Sequence, residues 1–528
     1  MRYFNTAGPC TPDLHYMLPG QERLPRARRH VDQGQYFVLH APRQTGKTTA
    51  LASLARELTA SGRYTALHFS CENAEPAGED VVWAEELVLQ AIRYAAEIAK
   101  FPVELAPPPV WPEAAPGARL QQGLKQWALS SPRPLVLFFD EIDALRGESL
   151  RSVLRQLRNG FTTGRSSFPH SVALCGLRDV RDYKAASGGD PGRLGTSSPF
   201  NIKVASLRLG DFTEAEVVEL YGQHTAQTGQ VFTEEALARA FCVTQGQPWL
   251  VNALAREIVE EMEVPPSEPI TVEHVDQAKE RLILARATHL DSLVARLGED
   301  RVRRVIEPLI AGELPDIGVT YDDDRSYVRD LGLIAVDTPV RVANPIYREV
   351  IVRVLGSGAE DSVTDTPSSF RLPDGRIDMD KLLRSFAAFW RENGEILASG
   401  STYPEAAAQL VMMAYLHRIV NGAGYIDREY GVGRRRIDLL IRQPYTNESD
   451  GSRSVQREAL ELKVWRQGRP DPLADGLAQL DDYLDRTELS TGTLVVFDTR
   501  PQAAPVHERT AFSTQTTPSG RTVTLLRA

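Results

Sequence analysis

Residues 36–61, "YFVLHAPRQTGKTTALASLARELTAS", restrict the chain more than any other stretch. Five apolar residues, a length suited to a buried strand, run into a loop holding a proline and a glycine. The helix that follows carries Leu51, Leu54 and Leu58 on one stripe and meets a stop signal at Gly62. A strand that turns sharply into a helix leaves the first helical N–H groups facing the loop, and those groups attract anions. The loop "APRQTGKT" (41–48) follows the pattern G-x-x-x-x-G-K-[ST] everywhere except its first position, where Ala41 stands. In this pattern Gly46 permits close backbone approach, Lys47 reaches the β- and γ-phosphates of a nucleotide, and the Thr48 hydroxyl joins a Mg²⁺ shell. Arg43, Thr45 and Thr49 complete the candidate phosphate-binding positions. Alanine at 41 still allows a tight loop, and would be strained only where φ must be positive.

A companion signal lies downstream. "TALHFS" (65–70), "PLVLFFDEIDAL" (134–145) and "SVALCGL" (171–177) read as further buried strands. Strands alternating with helices imply a parallel, doubly wound sheet. Ligands of such sheets bind outside the carboxyl ends of the strands. Asp140 and Glu141 stand at such an end. Asp140 is expected to hold Mg²⁺ and Glu141 to activate water.

The chain has 528 residues, room for roughly three domains of about 150 residues. Its 42% hydrophobic and 25% charged content is that of an ordinary globular protein. The net charge of -10 gives no global sign of nucleic-acid binding, although a local basic patch remains compatible with it. Four scattered cysteines, Cys10, Cys71, Cys175 and Cys242, form no CxxC pair, which argues against a zinc site and a disulfide scaffold and favours a cytoplasmic setting. The N-terminus has no apolar signal core, and no run of 18 apolar residues predicts a membrane span.

Residues 1–205 are therefore expected to form the nucleotide-binding core. The pattern of 206–355 changes to amphipathic helices, two of which open with a capping-box arrangement. "YVRDLGLIAVDTPVRVANPIYREVIVRVL" reads helix, strand, turn, strand, helix, compatible with a winged-helix unit. Residues 356–378, rich in Gly, Ser, Thr, Asp and Pro, predict a linker. A further domain spans 379–528, with two helices, two strands, a helix and a strand.

Within that domain "EALELKVW" (458–465) is an apolar strand with Glu461 and Lys463 on one face, because i and i+2 share a face. "GVGRRRIDLLI" (431–441) puts Asp438 in another apolar strand. An unpaired buried charge costs several kcal/mol, roughly, and two nearby carboxylates repel unless a cation sits between them. A divalent metal resolves this. Asp and Glu oxygens bind Mg²⁺, whose water becomes the nucleophile, and Lys463 can orient that water or stabilise phosphate charge. Arg434, Arg435 and Arg436 are placed to contact phosphates.

These motifs carry two resemblances. Residues 1–352 resemble AAA-type ATPases of the signal-transducing (STAND-like) kind, with "DEIDAL" similar to their Walker B segment. The resemblance implies Arg178, in "ALCGLRDV", as a γ-phosphate sensor. It implies Gly246 and Pro248, in "TQGQPWLVNAL", as the element opening a lid helix near the adenine, and "DLHYMLPGQERL" as a nucleotide box. Asp438 followed by Glu461-x-Lys463 resembles the PD-(D/E)XK nuclease superfamily, with Ile437 in place of its proline. That likeness implies Glu405 as an added acidic ligand of Mg²⁺ (or Mn²⁺), and Gln479 and Tyr483 as a Gln-x-x-x-Tyr helix motif that meets nucleic acid.

The resulting expectation is an α/β multidomain chain. It joins a P-loop parallel αβα ATPase core, a helical lid with a winged-helix-like segment, and a C-terminal restriction-endonuclease-like α/β domain. The implied cofactors are ATP and Mg²⁺. The implied partners are nucleic acid, with DNA first, and further copies of the chain on ATP binding, with no membrane. By analogy, such proteins are linked to phage or mobile-element defence. The competing expectation is an ATP-driven switch or scaffold whose C-terminal domain binds nucleic acid without cutting. An ATP-driven translocase ranks below both, since no helicase motif series accompanies the Walker pair.

Overall fold

The apolar runs at the front of the chain form strands β1 (Tyr36–His40), β2 (Thr65–Ser70), β3 (Leu135–Asp140) and β4 (Ser171–Gly176), joined by β5 (Lys203–Arg208). The structure, a computed structural model, describes residues 2–177, 203–285, 288–310, 323–360, 366–399, 404–420, 424–427, 439–447 and 451–528. The five strands make one parallel sheet in the order β2-β3-β4-β1-β5. Alternate residues of each strand feed two cores. Tyr36, Val38, Leu67, Leu137 and Val172 face one side, under helices α2 (Val81–Ile98), α3 (Arg119–Ser130) and α4 (Gly147–Thr163). Phe37, Leu39, Val136, Phe138 and Ala173 face the other, against α1 (Lys47–Ala60). Burial on both faces explains why these strands read as unbroken apolar runs rather than alternating ones. The chain order of β2, β3 and β4 runs outward from β1 and back, so the crevice beyond the strand ends opens beside β1 and β3.

Residues 101–118, rich in proline, carry no helix or strand. After β5 come α5 (Glu214–Thr228), α6 (Glu234–Thr244) and α7 (Pro248–Arg256). Thr213 and Glu216 close the expected capping box on α5, and Thr233 caps α6.

The chain divides into two compact units, Met1–Ala278 with Arg329–Gly332, and Lys279–Val328 with Leu333–Ala528. This division differs from the sequence boundaries. The helices of 206–278 go with the parallel sheet, and the helices after 279 go with the C-terminal sheet. The stretch expected as a linker is also partly regular. Helix α8 (Pro345–Glu360) runs into it, and Phe370 and Ile377 are buried. Two apolar residues suffice to anchor a segment whose composition otherwise reads as flexible. In the expected winged-helix segment, a helix (Asp323–Asp330) leads to a single antiparallel bridge, Ile334 with Val342, and then to α8. The helix–hairpin–helix order is present, with the hairpin shortened to that bridge.

The second unit holds a mixed sheet of six strands in the order β10-β11-β9-β8-β7-β6. These are β6 (Tyr425–Asp427), β7 (Leu439–Thr446), β8 (Arg453–Trp465), β9 (Thr493–Asp498), β10 (Ala511–Thr516) and β11 (Thr522–Arg527). β7 pairs antiparallel with β8, and β8 pairs parallel with β9. Parallel neighbours need a crossover, which α11 (Leu473–Arg486) supplies. Leu480, Leu484, Leu494 and Val496 pack between α11 and the sheet. On the other face, Phe386 and Trp390 of α9 (Met379–Ser399) meet Phe497, and α9 packs on α10 (Pro404–Val420). β6, β10 and β11 were not legible in the sequence. β6 is only three residues long, and β10 and β11 are short and interleave threonines with apolar residues.

Candidate functional sites

The loop after β1 turns through Gln44 (φ 57°) and Gly46 (φ 84°). Both are left-handed, so glycine at 46 suits the backbone. Ala41 is buried and has no positive φ, so an alanine at this position carries no backbone strain. Thr45 is buried, and its hydroxyl donates to the Pro42 carbonyl at 2.9 Å. Lys47 folds into the loop and donates to the carbonyls of Ala41 (2.8 Å) and Pro42 (2.7 Å). Burial holds its ammonium below the ordinary lysine range, with Cys175 and Asp140 opposing that shift. An anion seated in the loop would offer Lys47 a stronger partner than two carbonyls. Arg43 is exposed, and Thr49 accepts the Cys10 N–H at 3.1 Å.

The Thr48 hydroxyl donates to Asp140 Oδ2 at 2.7 Å. The two residues are 92 positions apart and are joined because β3 ends beside the start of α1. His68 on β2 approaches the same oxygen at 2.9 Å. Burial alone would raise the Asp140 carboxyl, but hydrogen bonds from His68, Thr48 and Cys175 outweigh it and hold the group ionised below its usual range. A hydroxyl and an ionised carboxylate at this spacing fit a hard cation such as Mg²⁺. Glu141 has a left-handed backbone (φ 53°), and its carboxylate accepts from the Ser70 hydroxyl. Burial raises the Glu141 carboxyl, and neighbouring Glu72 and Asp140 add to the shift.

Gly246 (φ 74°) and Pro248 open α7. A Cβ on Gly246 would lie 1.8 Å from the Phe212 carbonyl oxygen, so this close approach requires glycine. Gln247 caps α7 through Leu250 N–H at 2.6 Å, and its amide reaches the Gln44 carbonyl at 3.4 Å. A pocket beside the loop is lined by Tyr16, Met17, Gly46, Thr49, Pro248 and Trp249, among others. The structure therefore brings the N-terminal box, the phosphate loop and the Gly246–Pro248 element to one cavity. Arg178 lies outside the described residues.

Two contributors were missed in the sequence. His68 is a polar residue amid apolar neighbours and reads as a surface position, until the register Ser70 with Asp140 brings β2 beside β3. Arg23 donates to the Thr45 carbonyl at 3.4 Å, pairs with Glu216 at 3.6 Å and sits over the Phe212 ring. It lies within "DLHYMLPGQERL", but nothing local singles out this residue.

In the second unit, Glu461 is 0% exposed within β8. Lys463, on the same strand face, places its ammonium 2.5 Å from Glu461 Oε1 and donates to Gln479 Oε1 at 2.5 Å. Glu461, Lys463 and Gln479 thus form one cluster between β8 and α11. Tyr483 is corrected. It shares the helical face of Gln479, but that face points at the sheet, and Tyr483 is 1% exposed in the core beside Leu480 and Leu484. Buried there, it packs rather than meeting nucleic acid. Asp438, Arg434, Arg435 and Arg436 lie outside the described residues, as does the side chain of Glu405 at the start of α10. β7 begins at Leu439, which pairs with Leu460, the neighbour of Glu461. Among the described residues no group of three His, Cys, Asp or Glu could hold a metal. Glu461 contributes one hard oxygen donor, which fits Mg²⁺ or Mn²⁺ as a single ligand of a larger set.

The parallel sheet, with helices on both faces and a phosphate loop after β1, fits a P-loop αβα core. Among the described residues, no helix is long and apolar enough to cross a membrane. No protein-family model and no curated protein matches the sequence. Among solved structures, the Walker-type ATPase Paby2304 of Pyrococcus abyssi is similar at 13% identity, over 66% of this chain and 99% of that one, with a TM-score of 0.45. The RuvB Holliday junction branch migration motor of Thermotoga maritima is similar at 16% identity, over 63% and 93%, with a TM-score of 0.34. The Orc1 protein of Aeropyrum pernix, solved in complex with DNA, is similar at 12% identity, over 65% and 94%, with a TM-score of 0.33. Likeness of this order carries no activity across to this chain.

Proposed function

We propose that this chain binds and hydrolyses ATP in its first unit, and that its nucleotide state gates a metal-dependent nuclease site in the second, with DNA the expected substrate. The observation that carries the nuclease reading is the fully buried Glu461 held by Lys463 on one strand face, one residue from the Leu460–Leu439 pair. Leu439 directly follows Asp438 in the chain. The ATP reading rests on the Thr48–Asp140 contact at the mouth of the phosphate loop.

In the first unit Lys47 and the N-terminal N–H groups of α1 hold phosphate oxygens, and Thr48 with Asp140 holds the nucleotide's Mg²⁺. Glu141 orients and deprotonates water once Ser70 releases its carboxylate. ATP binding is expected to favour assembly of further copies. In the second unit Asp438, Glu461 and Glu405 would hold the divalent cation, which supplies an acidified water when bound. Lys463 stabilises charge on the phosphate, and Gln479 fixes the direction of its ammonium.

The test is cleavage of supercoiled plasmid in Mg²⁺ with and without ATP, by wild type, Lys47→Ala and Lys463→Ala. The expected result is cleavage that responds to ATP in wild type, cleavage without that response in Lys47→Ala, and none in Lys463→Ala. Persistent cutting by Lys463→Ala would remove the site assignment. A second reading is favoured by the closeness of Lys463 to Glu461, since a carboxylate already matched by an ammonium needs no metal. On that reading the chain is an ATP-driven switch whose second unit binds nucleic acid intact. Tight binding with no product in Mg²⁺ or Mn²⁺ would select it.

A further inference from the structure

The run Pro248–Ala255 at the front of α7 is buried throughout, and Asn252 is the one amide side chain in it, at 8% exposure. Asparagine is a poor helix former, because its side chain competes with the backbone for hydrogen bonds. Leucine or alanine would suit this packing better. The Asn252 Nδ2 donates to the Pro248 carbonyl, one turn back, at 2.8 Å. A carbonyl only accepts, so this contact fixes which end of the amide is which. Oδ1 is then left buried, with no donor among the described residues. An unpaired buried acceptor is costly, and the packing of α7 gives no reason for one.

Asn252 lines the cavity beside the phosphate loop, together with Pro248 on the same helical face. Gly46 and Thr49 bring the phosphate loop and the first turn of α1 to that cavity, and Tyr16, Phe212 and Leu220 give it apolar walls. Trp249 ties down the N-terminal segment by donating its indole N–H to the Thr6 carbonyl at 2.8 Å. Apolar walls next to a phosphate cradle fit the base of a nucleotide. Asn5 also lines the cavity, but its amide is engaged at both ends, donating to the Gly8 carbonyl at 3.0 Å and accepting the Ala7 N–H at 3.1 Å. Asn252 Oδ1 is an acceptor with nothing to accept. Adenine presents an amino donor at C6, whereas guanine presents a carbonyl there, and two acceptors face to face repel.

We propose that Asn252 sets the base preference of the nucleotide site, its Oδ1 accepting from the 6-amino group of adenine and turning away 6-oxo purines. The proposal rests on the ATP reading of the first unit and deepens it, by naming the atom that separates ATP from GTP. A flip of the amide would set Oδ1 against the Pro248 carbonyl, so the site cannot adapt to a 6-oxo purine by exchanging acceptor for donor.

The test is calorimetric titration of the full chain in Mg²⁺ with ADP, IDP and purine riboside diphosphate, since diphosphates avoid turnover. IDP replaces the 6-amino group with a carbonyl, and purine riboside diphosphate removes it. Wild type is expected to bind ADP at least about tenfold more tightly than either. Asn252→Leu and the smaller Asn252→Ala should bind all three as weakly as wild type binds purine riboside diphosphate, so that the preference for ADP disappears. A merely structural Asn252 would weaken all three ligands alike. Equal binding of the three by wild type overturns the proposal and leaves nucleotide binding standing. A preference that survives in either folded variant overturns it in the same way, as does equal weakening of all three ligands in both. Binding of none of them by wild type removes the ATP reading and the proposal together.

Discussion

Asp140 ends β3 at 1% exposure and Glu461 lies within β8 at 0%, yet their surroundings differ in kind. Asp140 is surrounded by donors from separate elements, namely Thr48, His68 and Cys175. Each can turn away when a cation arrives, and the carboxylate stays ionised throughout. Glu461 is met by Lys463 from its own strand, and that ammonium is steered by Gln479. Donors from several elements spread the compensation at Asp140, whereas at Glu461 an ammonium from the same strand supplies an ion pair. The first arrangement is expected to lose less on removal of one donor than the second on removal of its ammonium.

The largest effect should come from removing that ammonium. Lys463→Ala leaves a buried charge, and should destabilise the second unit by about 3 kcal/mol. Amide exchange of β8 in the full chain, read by mass spectrometry, should accelerate accordingly. The pair Glu461→Leu/Lys463→Met should recover most of that loss, since apolar replacement of a buried ion pair is commonly neutral. Failure of the pair to recover would break the comparison.

Gly246→Ala should come next. It combines a left-handed backbone with a Cβ 1.8 Å from the Phe212 carbonyl, and should cost at least about 2 kcal/mol. Nucleotide affinity should fall with it, measured by titration with a fluorescent ATP analogue.

Thr48→Ala sharpens the contrast with Lys463→Ala. Asp140 keeps its other donors, so stability should change by about 1 kcal/mol or less. Mg²⁺–ATP affinity should nonetheless fall roughly tenfold. A stability loss equal to that of Lys463→Ala would mean that Asp140 depends on one partner after all.

The smallest effect concerns acid. Asp481 accepts from Ser519, Thr517 and Arg521. Burial would raise its carboxyl, and these donors outweigh it to hold it at about 2. A lowered folded value means that the stability it contributes is complete above the ordinary value of 3.8 and is lost as pH falls through about 2. Asp481→Asn should therefore be less stable than wild type at neutral pH, with the gap closing below pH 3.8 in acid titrations followed by circular dichroism.

Much of the first unit was legible because its signals are local. Strands buried on both faces appear as unbroken apolar runs, and the loop between β1 and α1 has a fixed residue pattern. The second unit was half legible. β7, β8, α11 and β9 could be read, but β6 is only three residues long and β10 and β11 are short strands broken by threonines. Tyr483 shows the limit of periodicity. Spacing of four put it on the face of Gln479, and spacing cannot tell whether that face meets solvent or the sheet.

By itself the sequence determined the chemistry available at each site, the strand–loop–helix that presents Lys47 and Thr48, and the shared face of Glu461 and Lys463. These follow from periods of 3.6 and 2 and from residue type. Only the tertiary structure decided that His68 and Thr48 share one oxygen of Asp140 and that Arg23 reaches the phosphate loop. Those contacts join strands and loops far apart in the chain, and their distances depend on sheet order and register, which no local pattern encodes.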